Sequence, residues 1–355
     1  MSATMWAQVL HAVGDMRYER VPRPTPGPGQ VLVRVAWCGI CGSDIPRTFV
    51  KGTYRFPTII GHEFAGWVAD WGPGVSGLAV GDPVTVFPLI WCDRCPACAE
   101  GRYAQCHDYD YLGSRSDGAL AEFVVAPARN LLPVPAGVPL TVAAMTEPAA
   151  VARHALRRGG EVRGIVAIFG AGPIGLMAAQ WAQLLGADRV VLFDIAPDKL
   201  ALAERFGFAA FDSRGCDPVA VVHEHTAGEG AHLCLEAAGV PATVLQALAA
   251  VRRGGRVVLM GNPEAAVTLP ADLISRFMRR EAAVFGAWNS SFVPAGMPGA
   301  GGEDDDWRQT LAAMADGRLQ LEPLITHRVP LDQAFATLTH MRARREGFVK
   351  VMIGR

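Results

Sequence analysis

Short apolar runs separated by glycine and proline fill the first part of the chain. Five of them span residues 6–10, 31–37, 63–69, 83–87 and 121–125. Short, regularly spaced apolar runs bounded by turn-forming residues are typical of β-strands. The pattern therefore predicts a mostly β domain that ends near residue 150.

The pattern then changes, because a helical stretch at 141–158 leads into alternating strands and helices. The predicted strands are 165–169, 189–193, 209–211, 231–235, 256–260 and 283–287, and the predicted helices are 173–186, 197–206, 217–226 and 240–250. Neighbouring parallel strands need right-handed crossover connections, which these helices supply. The predicted fold class is therefore α/β, with a doubly wound parallel sheet.

From residue 288 the alternation stops. The remaining chain holds a loop rich in glycine and proline at 294–302, an amphipathic helix at 306–316, and a last helix and strand within 331–353. We expect this tail to return to the first domain.

Composition narrows the class of protein. The 355 residues include 33 Lys+Arg and 34 Asp+Glu, for a net charge of −1, and 50% of them are hydrophobic. These values exclude a disordered chain and argue against binding to nucleic acid or a membrane surface through bulk charge. The uncharged run 164–187 is long enough to span a bilayer, but glycines and Pro173 interrupt it, so a strand, a turn and a buried helix explain it better.

The expected compartment is the cytoplasm. Residues 1–10 lack the basic and long apolar parts of a signal peptide. Eight cysteines are too few for a disulfide framework in a chain of this length, which favours a reducing environment.

A glycine-rich turn follows the first strand of the α/β part and opens its first helix. It comprises Gly170, Gly172, Pro173, Ile174 and Gly175. In this context the glycines permit a tight turn, the close approach of a pyrophosphate and close packing of helix on strand, while the helix N-terminus offers free N–H groups to phosphate. The turn therefore predicts a dinucleotide site.

An acidic residue stands at the end of the next predicted strand. Asp194 lies nineteen residues after Gly175, where a carboxylate can accept hydrogen bonds from both ribose hydroxyls and repel a 2′-phosphate. This position favours NAD over NADP, although Lys199 places a positive charge nearby. The alternative interpretation of Asp194 is an ordinary helix cap or turn acid.

Four cysteines lie close together, with the spacing Cys92-x2-Cys95-x2-Cys98-x7-Cys106. Four thiolates can fill every position of a tetrahedral zinc, which makes a structural site without an open position. Ferredoxin-type iron–sulfur motifs begin in the same way but continue with C-x3-C-P. The spacing therefore favours zinc over an iron–sulfur cluster or four free thiols.

A second group of potential ligands is spread along the chain. Cys41 begins the segment 41–44, and His62 and Glu63 follow a later apolar run. Together they offer a thiolate, an imidazole and a carboxylate, a possible ligand set for a catalytic zinc with an open fourth position. Glu147 is an acid in apolar surroundings, which fits either a further ligand, direct or through water, or a helix N-terminal acid beside a proline.

The order of these motifs resembles that of the zinc-containing medium-chain alcohol and polyol dehydrogenases, over nearly the whole chain. The resemblance implies a GroES-like catalytic domain at 1–152 with a zinc lobe at about 88–110, a Rossmann NAD-binding domain at 153–287, and a return to the catalytic domain at 288–355. It also implies two zinc ions per chain. In polyol members the third zinc ligand is the glutamate beside the histidine, here Glu63, and Glu147 matches the second cysteine ligand of the alcohol dehydrogenases.

The resemblance further implies the reaction. A secondary hydroxyl loses its proton beside the zinc charge, and hydride passes from its carbon to the nicotinamide. Ser43 matches the hydroxyl that begins the proton exit in this family. Alcohol dehydrogenases carry a histidine two residues past the aspartate, where this chain has Pro46, so bulk water is an alternative end for that path.

Several segments, including 41–47 and 113–118, resemble the polyol-phosphate dehydrogenases in particular. We therefore expect a polyol or polyol phosphate as substrate, with Arg47 and Arg115 near it, where an arginine can bind phosphate or donate to a hydroxyl. Unphosphorylated sugar alcohols or other secondary alcohols are the alternative. A nucleotide-binding protein without catalytic activity is disfavoured because the potential zinc ligands are all present.

Assembly is expected from the last predicted strand. The strand at 283–287 would leave an apolar sheet edge exposed in a monomer. Related enzymes cover this edge by pairing it across a two-fold axis. We expect a homodimer or homotetramer that acts on a small molecule and has no nucleic-acid or membrane partner.

Overall fold

The structure is a computed structural model that describes residues 3–263, 265–343 and 347–354. The strands are β1 (Thr4–Ala12), β2 (Asp15–Pro22), β3 (Gln30–Gly39), β4 (Thr58–Ile59), β5 (Glu63–Trp71), β6 (Pro83–Val86), β7 (Leu89–Ile90), β8 (Asp110–Tyr111), β9 (Phe123–Pro127), β10 (Leu131–Pro133), β11 (Ile165–Phe169), β12 (Arg189–Asp194), β13 (Ala209–Asp212), β14 (Ala231–Glu236), β15 (Val251–Leu259), β16 (Ala283–Gly286), β17 (Ile325–Pro330) and β18 (Lys350–Gly354).

The α-helices are α1 (Asp44–Pro46), α2 (Pro96–Ala99), α3 (Leu140–Ala143), α4 (Thr146–Arg158), α5 (Pro173–Leu184), α6 (Pro197–Arg205), α7 (Pro218–His225), α8 (Pro241–Ala250), α9 (Ala271–Arg279), α10 (Asp306–Ala315) and α11 (Ala334–Ala343). A π-helical turn spans Arg47–Lys51, and short 3₁₀ turns lie at Tyr103–Gln105, Ala128–Asn130, Glu322–Leu324 and Leu331–Gln333. In the described ranges, every helix is too short or too polar to cross a membrane.

The chain divides into two compact units. The first comprises Met1–Glu147 with Ser291–Arg355, and the second comprises Pro148–Ser290. The boundaries between the units therefore lie at 147/148, inside α4, and at 290/291. The domain boundaries proposed from the sequence lie at 152/153 and 287/288.

The first unit is mostly β, as the apolar runs predict. Its largest sheet has the order β10-β6-β5-β3-β18-β17, with β9 also paired to β3, and two smaller sheets are β2-β1-β4 and β7-β8. Strand β18 runs antiparallel to β3 and parallel to β17. The tail of the chain thereby completes the main sheet of the first unit.

Aromatic packing anchors the beginning of that tail. Trp307 in α10 is fully buried, with its ring 5.4 Å from Phe87 and 6.4 Å from Phe292. Phe87 and Phe292 stack at 4.6 Å. Rings of this size bury a large apolar area, so the cluster holds α10 against the strand end after β6.

The second unit is a parallel sheet of order β13-β12-β11-β14-β15-β16. Its strands are buried on both faces by helices and therefore appear in the sequence as continuous apolar runs. The strand order reverses between β11 and β14, and in open α/β sheets this switch point is where dinucleotides bind. The predicted α/β fold class is confirmed.

Three details of the predicted elements are wrong. Strand β15 begins at Val251 rather than at residue 256, because the segment 252–255, two arginines and two glycines, hides its apolar pattern. Helix α9 was not predicted, although two parallel neighbours require a crossover between them. The helix predicted at 141–158 consists of two helices, α3 and α4.

Candidate active site

Two strand ends in the first unit bring the predicted metal ligands together. Gly39 of β3 pairs with Glu63 of β5, and Cys41 follows β3 by two residues. Gly61 has a φ of 98°, and a side chain there would come within 2.8 Å of a packed sulfur atom. Glycine at this position therefore allows the tight approach that presents His62.

Cys41, His62 and Glu63 form a cluster whose ligand atoms lie within 4.8 Å of one another. His62 and Glu63 are buried, and Cys41 is half-buried. A thiolate, an imidazole and a carboxylate at this spacing fit a zinc site that keeps a fourth position open. The structure thus brings together three of the four residues expected around the catalytic metal.

The electrostatics of this cluster favour a bound cation. Burial, followed by the negative charges of Glu63 and Asp44, raises the pKa of the Cys41 thiol to about 12. A thiolate ligand at this position therefore requires positive charge beside it, which a divalent metal supplies. Zinc held by these residues would polarise a substrate hydroxyl and lower its pKa.

Asp44 lies beside the histidine of the cluster. Its fully buried carboxylate places Oδ1 3.6 Å from Nδ1 of His62, and Oδ2 accepts a hydrogen bond from the Cys41 backbone N–H at 2.9 Å. Nδ1 makes no hydrogen bond to the described residues, which leaves Nε2 for a metal. A carboxylate behind a metal-binding histidine is the group that can accept its second ring N–H. The sequence pattern did not single out Asp44, although it lies three residues after Cys41.

Lys350 of β18 reaches the same cluster from a distant part of the sequence. Its amine forms a buried ion pair with Glu63 and donates a hydrogen bond to the Ile40 carbonyl at 3.1 Å. Burial is the largest single influence on the pKa of Lys350 and lowers it. The charge of Glu63 and its hydrogen bond, together with the charges of Cys41 and Glu147, outweigh burial, so the pKa is raised. The Glu63 carboxylate is therefore both the ion-pair partner of Lys350 and a potential metal ligand. No local sequence pattern indicates this relationship.

Glu147 lies in the first unit but outside the cluster of closely spaced ligand atoms. Its Oε1 accepts a hydrogen bond from the Tyr111 hydroxyl at 3.2 Å, and the Tyr111 ring packs 5.7 Å from that of His62. Burial is the main cause that raises the pKa of Glu147 to about 7. A carboxyl group that titrates near neutral pH is suited to proton exchange. Tyr111 is a further residue of the site that sequence reasoning missed.

Ser43 and Arg47 form a chain of hydrogen bonds that ends on the Cys41 sulfur. The Ser43 hydroxyl donates to Cys41 Sγ at 3.2 Å, and the Arg47 guanidinium donates to Ser43 Oγ at 2.7 Å. Arg47 also lies 3.4 Å from the Asp44 carboxylate. The charge of Arg47 is therefore engaged with the residues that support the metal ligands.

Arg115, also expected near the substrate, lies between two tyrosine rings. Its guanidinium carbon is 4.3 Å from the ring centre of Tyr54 and 4.3 Å from that of Tyr109. Tyr109 packs edge to face against Tyr111, with ring centres 6.4 Å apart. Contacts between rings thus connect Arg115 to the surroundings of His62.

The four-cysteine lobe forms a second cluster in the first unit. The ligand atoms of Cys92, Cys95, Cys98 and Cys106 all lie within 4.8 Å of one another, and all eight cysteines of the chain are free thiols. A hydrogen bond from the His107 backbone N–H is the main cause that lowers the pKa of Cys95 to about 6. Four sulfurs around one point fit a closed, structural zinc site.

The second unit holds the glycine turn. Gly170 has a φ of 110°, and a side chain there would come within 2.9 Å of the Ala238 backbone. A side chain on Gly175 would overlap the Gly170 carbonyl. A side chain on Gly172, by contrast, would meet no described atom within 4 Å. Open space therefore lies beside the first turn of α5, which begins with Pro173 and Ile174 and has free N–H groups for a phosphate.

Asp194 ends β12 and ties it to this turn. Its Oδ2 accepts a hydrogen bond from the Ala171 N–H at 2.8 Å, and Oδ1 accepts from the N–H groups of the next two residues at 2.8 and 3.0 Å. The Lys199 amine is 3.9 Å from Oδ2. Oδ1 uses both of its lone pairs in these hydrogen bonds, and Oδ2 keeps one for a ribose hydroxyl, whereas Lys199 would attract a 2′-phosphate.

Two family models match the chain. The alcohol dehydrogenase GroES-like domain matches residues 27–136, and the zinc-binding dehydrogenase model matches residues 173–316. Both metal clusters lie in the first unit, and the glycine turn lies in the second.

Several proteins resemble this chain over most of their length. Galactitol 1-phosphate 5-dehydrogenase of Escherichia coli (strain K12) is 37% identical over 84% of this chain and 85% of its own length. L-threonine 3-dehydrogenase of Symbiobacterium thermophilum is 35% identical over 98% and 97% of the two chains. A zinc-binding dehydrogenase of Sinorhizobium meliloti 1021, solved with NADP bound, is 32% identical, with a TM-score of 0.90 over 100% of both chains. The chain therefore belongs to the zinc-containing medium-chain alcohol and polyol dehydrogenases, and it is an NAD(P)-dependent oxidoreductase.

Proposed function

We propose that this enzyme oxidises a secondary hydroxyl of a polyol or polyol phosphate with NAD, giving a ketose or ketose phosphate. The observation that carries the proposal is the cluster of Cys41, His62 and Glu63, which offers three metal ligands and leaves one position for a substrate hydroxyl. The similarity to galactitol 1-phosphate 5-dehydrogenase supports a polyol substrate. We assign one zinc to this cluster and a second zinc to the four-cysteine lobe.

The side chains around the cluster have complementary parts in this reaction. Asp44 lies beside Nδ1 of the His62 ring, and Lys350 pairs with the Glu63 carboxylate. Glu147, hydrogen-bonded to Tyr111 and with a pKa raised to about 7 by burial, is placed to receive or pass on a proton at neutral pH. Glu147 is proposed as a near ligand, either direct or through water.

NAD is the proposed cofactor, bound along the glycine turn. The open space beside Gly172 suits a pyrophosphate, and the Asp194 carboxylate suits the ribose hydroxyls. Lys199, 3.9 Å from that carboxylate, is the feature that would favour NADP. We give greater weight to Asp194 because a 2′-phosphate would lie against its negative charge.

A homodimer or homotetramer is the proposed assembly, with a cytoplasmic location that agrees with eight free thiols. Strand β16 is paired only with β15 among the described strands, and Val284 in it is 44% exposed. Ile274 and Met278 of the neighbouring helix α9 are 44% and 71% exposed. An open edge strand beside exposed apolar side chains is suited to pairing with a second copy of the chain.

A substrate panel tests the proposed activity. NADH or NADPH formation is measured with polyols, polyol phosphates and L-threonine, and the proposal expects the highest kcat/KM with NAD and a polyol or its phosphate. His62→Ala should abolish this activity, whereas His340→Ala, which changes an exposed histidine in α11, should leave it unchanged. Turnover of L-threonine alone would contradict the proposed substrate class.

A further inference from the structure

Three arginines lie in or beside the segments that resemble polyol-phosphate dehydrogenases, and their partners distinguish them. Arg47 donates to Ser43 and lies next to Asp44. Arg55 pairs with Asp117 at 3.0 Å. The positive charges of these two arginines are therefore balanced by groups of the protein.

Arg115 differs because the described residues offer it aromatic faces in place of a carboxylate. The guanidinium carbon lies 4.3 Å from the ring centres of both Tyr54 and Tyr109, and Nε of this side chain is buried without a hydrogen-bond acceptor among the described atoms. Burial lowers the pKa of Arg115, but the phenol groups of Tyr109 and Tyr54 outweigh it and the pKa is raised. The group therefore remains charged, and its charge has no anionic counterpart in the described chain.

The two ring contacts also reduce the freedom of the Arg115 side chain. An arginine that is already packed loses less side-chain entropy when its planar fork binds an oxyanion through two parallel N–H groups. Tyr54 is 70% exposed although it is a large aromatic residue. Arg115 is half-buried, so part of its side chain is accessible to a ligand.

We propose that Arg115, held between Tyr54 and Tyr109, binds the phosphate-bearing end of an extended polyol substrate. The inference rests on the proposed function and specifies its substrate as a phosphomonoester. Ring contacts connect Arg115 to the metal cluster. The Tyr109 ring packs 6.4 Å from that of Tyr111, and the Tyr111 ring packs 5.7 Å from that of His62. The proposed substrate is extended, with one hydroxyl at the metal cluster and a phosphate several carbons away at Arg115.

Arg47 is a poorer candidate for the same task. Its guanidinium donates to the hydroxyl that contacts the Cys41 sulfur, so a phosphate on Arg47 would compete with the support of a metal ligand. We therefore assign phosphate binding to Arg115, and Arg47 is a positioning residue for Ser43.

Binding and kinetics with matched ligands test this assignment. The Kd of galactitol 1-phosphate and of inorganic phosphate is measured by calorimetry for the wild-type enzyme and Arg115→Met, and kcat and KM are measured with galactitol 1-phosphate and with galactitol. Loss of a charge-assisted contact should raise Kd and KM for the phosphate ester about 10- to 100-fold. The kcat/KM for galactitol should change by less than about threefold, because its uncharged end makes no such contact. Arg115→Lys, which keeps the charge but loses the planar fork, should recover part of the affinity.

Arg34→Met is the matched control, because the Arg34 guanidinium also lies 4.3 Å from an aromatic ring, that of Trp67. It should leave both substrates unaffected, and thermal unfolding of each variant checks that the fold is retained. Equal losses on galactitol and its phosphate, or an unchanged Kd for the phosphate ester in Arg115→Met, would overturn the assignment. If the wild-type enzyme binds the ester through Arg115 but oxidises no polyol, the proposed function is wrong, whereas the assignment of Arg115 as the phosphate-binding residue is retained.

Discussion

The amine of Lys350 pairs with the carboxylate of Glu63 across 287 positions of sequence. Each side chain is 2% exposed, so removal of either leaves the other as a buried, unpaired charge. Such a loss typically costs about 3–5 kcal/mol. We expect Lys350→Met to lower the free energy of unfolding of the metal-depleted protein by about that amount, measured by urea denaturation.

The double variant Lys350→Met/Glu63→Gln provides the control for this prediction. It removes both charges, so most of the lost stability should return. A single variant within about 0.5 kcal/mol of the wild type would show that the pair does not govern stability.

The two metal clusters should respond differently to loss of one cysteine. Cys41→Ser removes a ligand of the open site, so activity should disappear while the thermal midpoint changes little. Cys95→Ser opens the closed site, whose metal binding contributes folding energy, so the midpoint should fall clearly. Metal analysis should find two zinc ions per wild-type chain and one per variant chain. Cys216→Ser, outside both clusters, should retain both ions, and iron in place of zinc would refute the metal assignment.

Cofactor choice should depend on Asp194. Asp194→Ala removes the charge that opposes a 2′-phosphate and leaves Lys199 to attract it, so the ratio of kcat/KM for NAD to that for NADP should fall about tenfold or more. Because the carboxylate also holds the Ala171 N–H, the KM for NAD should rise as well. Asp188→Ala, at an exposed position just before β12, should leave the ratio unchanged. A wild-type enzyme that already prefers NADP would contradict the role given to Asp194.

Pairing of β16 should control the oligomeric state. Light scattering at micromolar concentration should show at least a dimer, and Val284→Asp should shift it toward the monomer because two buried charges would face each other across the two-fold axis. Val80→Asp changes a residue of the first unit that is 69% exposed and should have no effect. A monomeric wild-type protein would exclude this interface.

Features carried by neighbouring residues could be predicted from the sequence. The glycine turn and its flanking strand and helix are present, and the four closely spaced cysteines form one cluster. The grouping of Cys41 with His62 also follows, because both stand at the ends of apolar runs that become paired strands. Local pattern is sufficient here since the spacing of the residues already defines their geometry.

Features created by the pairing of distant segments could not be predicted in this way. The position of Lys350 beside Glu63 depends on β18 pairing with β3. A single lysine in an apolar strand does not indicate which residue it pairs with. The stacking of Arg115 between Tyr54 and Tyr109 likewise requires the loop conformation. Strand β15 was misplaced because its first residues are arginines and glycines, so that pairing with its neighbours, rather than an apolar run, extends it to Val251.

The position of β18 in the main sheet also sets an order of events during synthesis on the ribosome. The hydrogen bond from Lys350 to the Ile40 carbonyl spans 310 positions, and the whole second unit is translated between them. The parallel sheet of the second unit can thus form while the Trp37–Gly39 part of β3 still awaits its neighbour. Until β18 emerges, this part of the edge is open to wrong pairing and the Glu63 carboxylate lacks its counter-ion, so the first unit completes its sheet last.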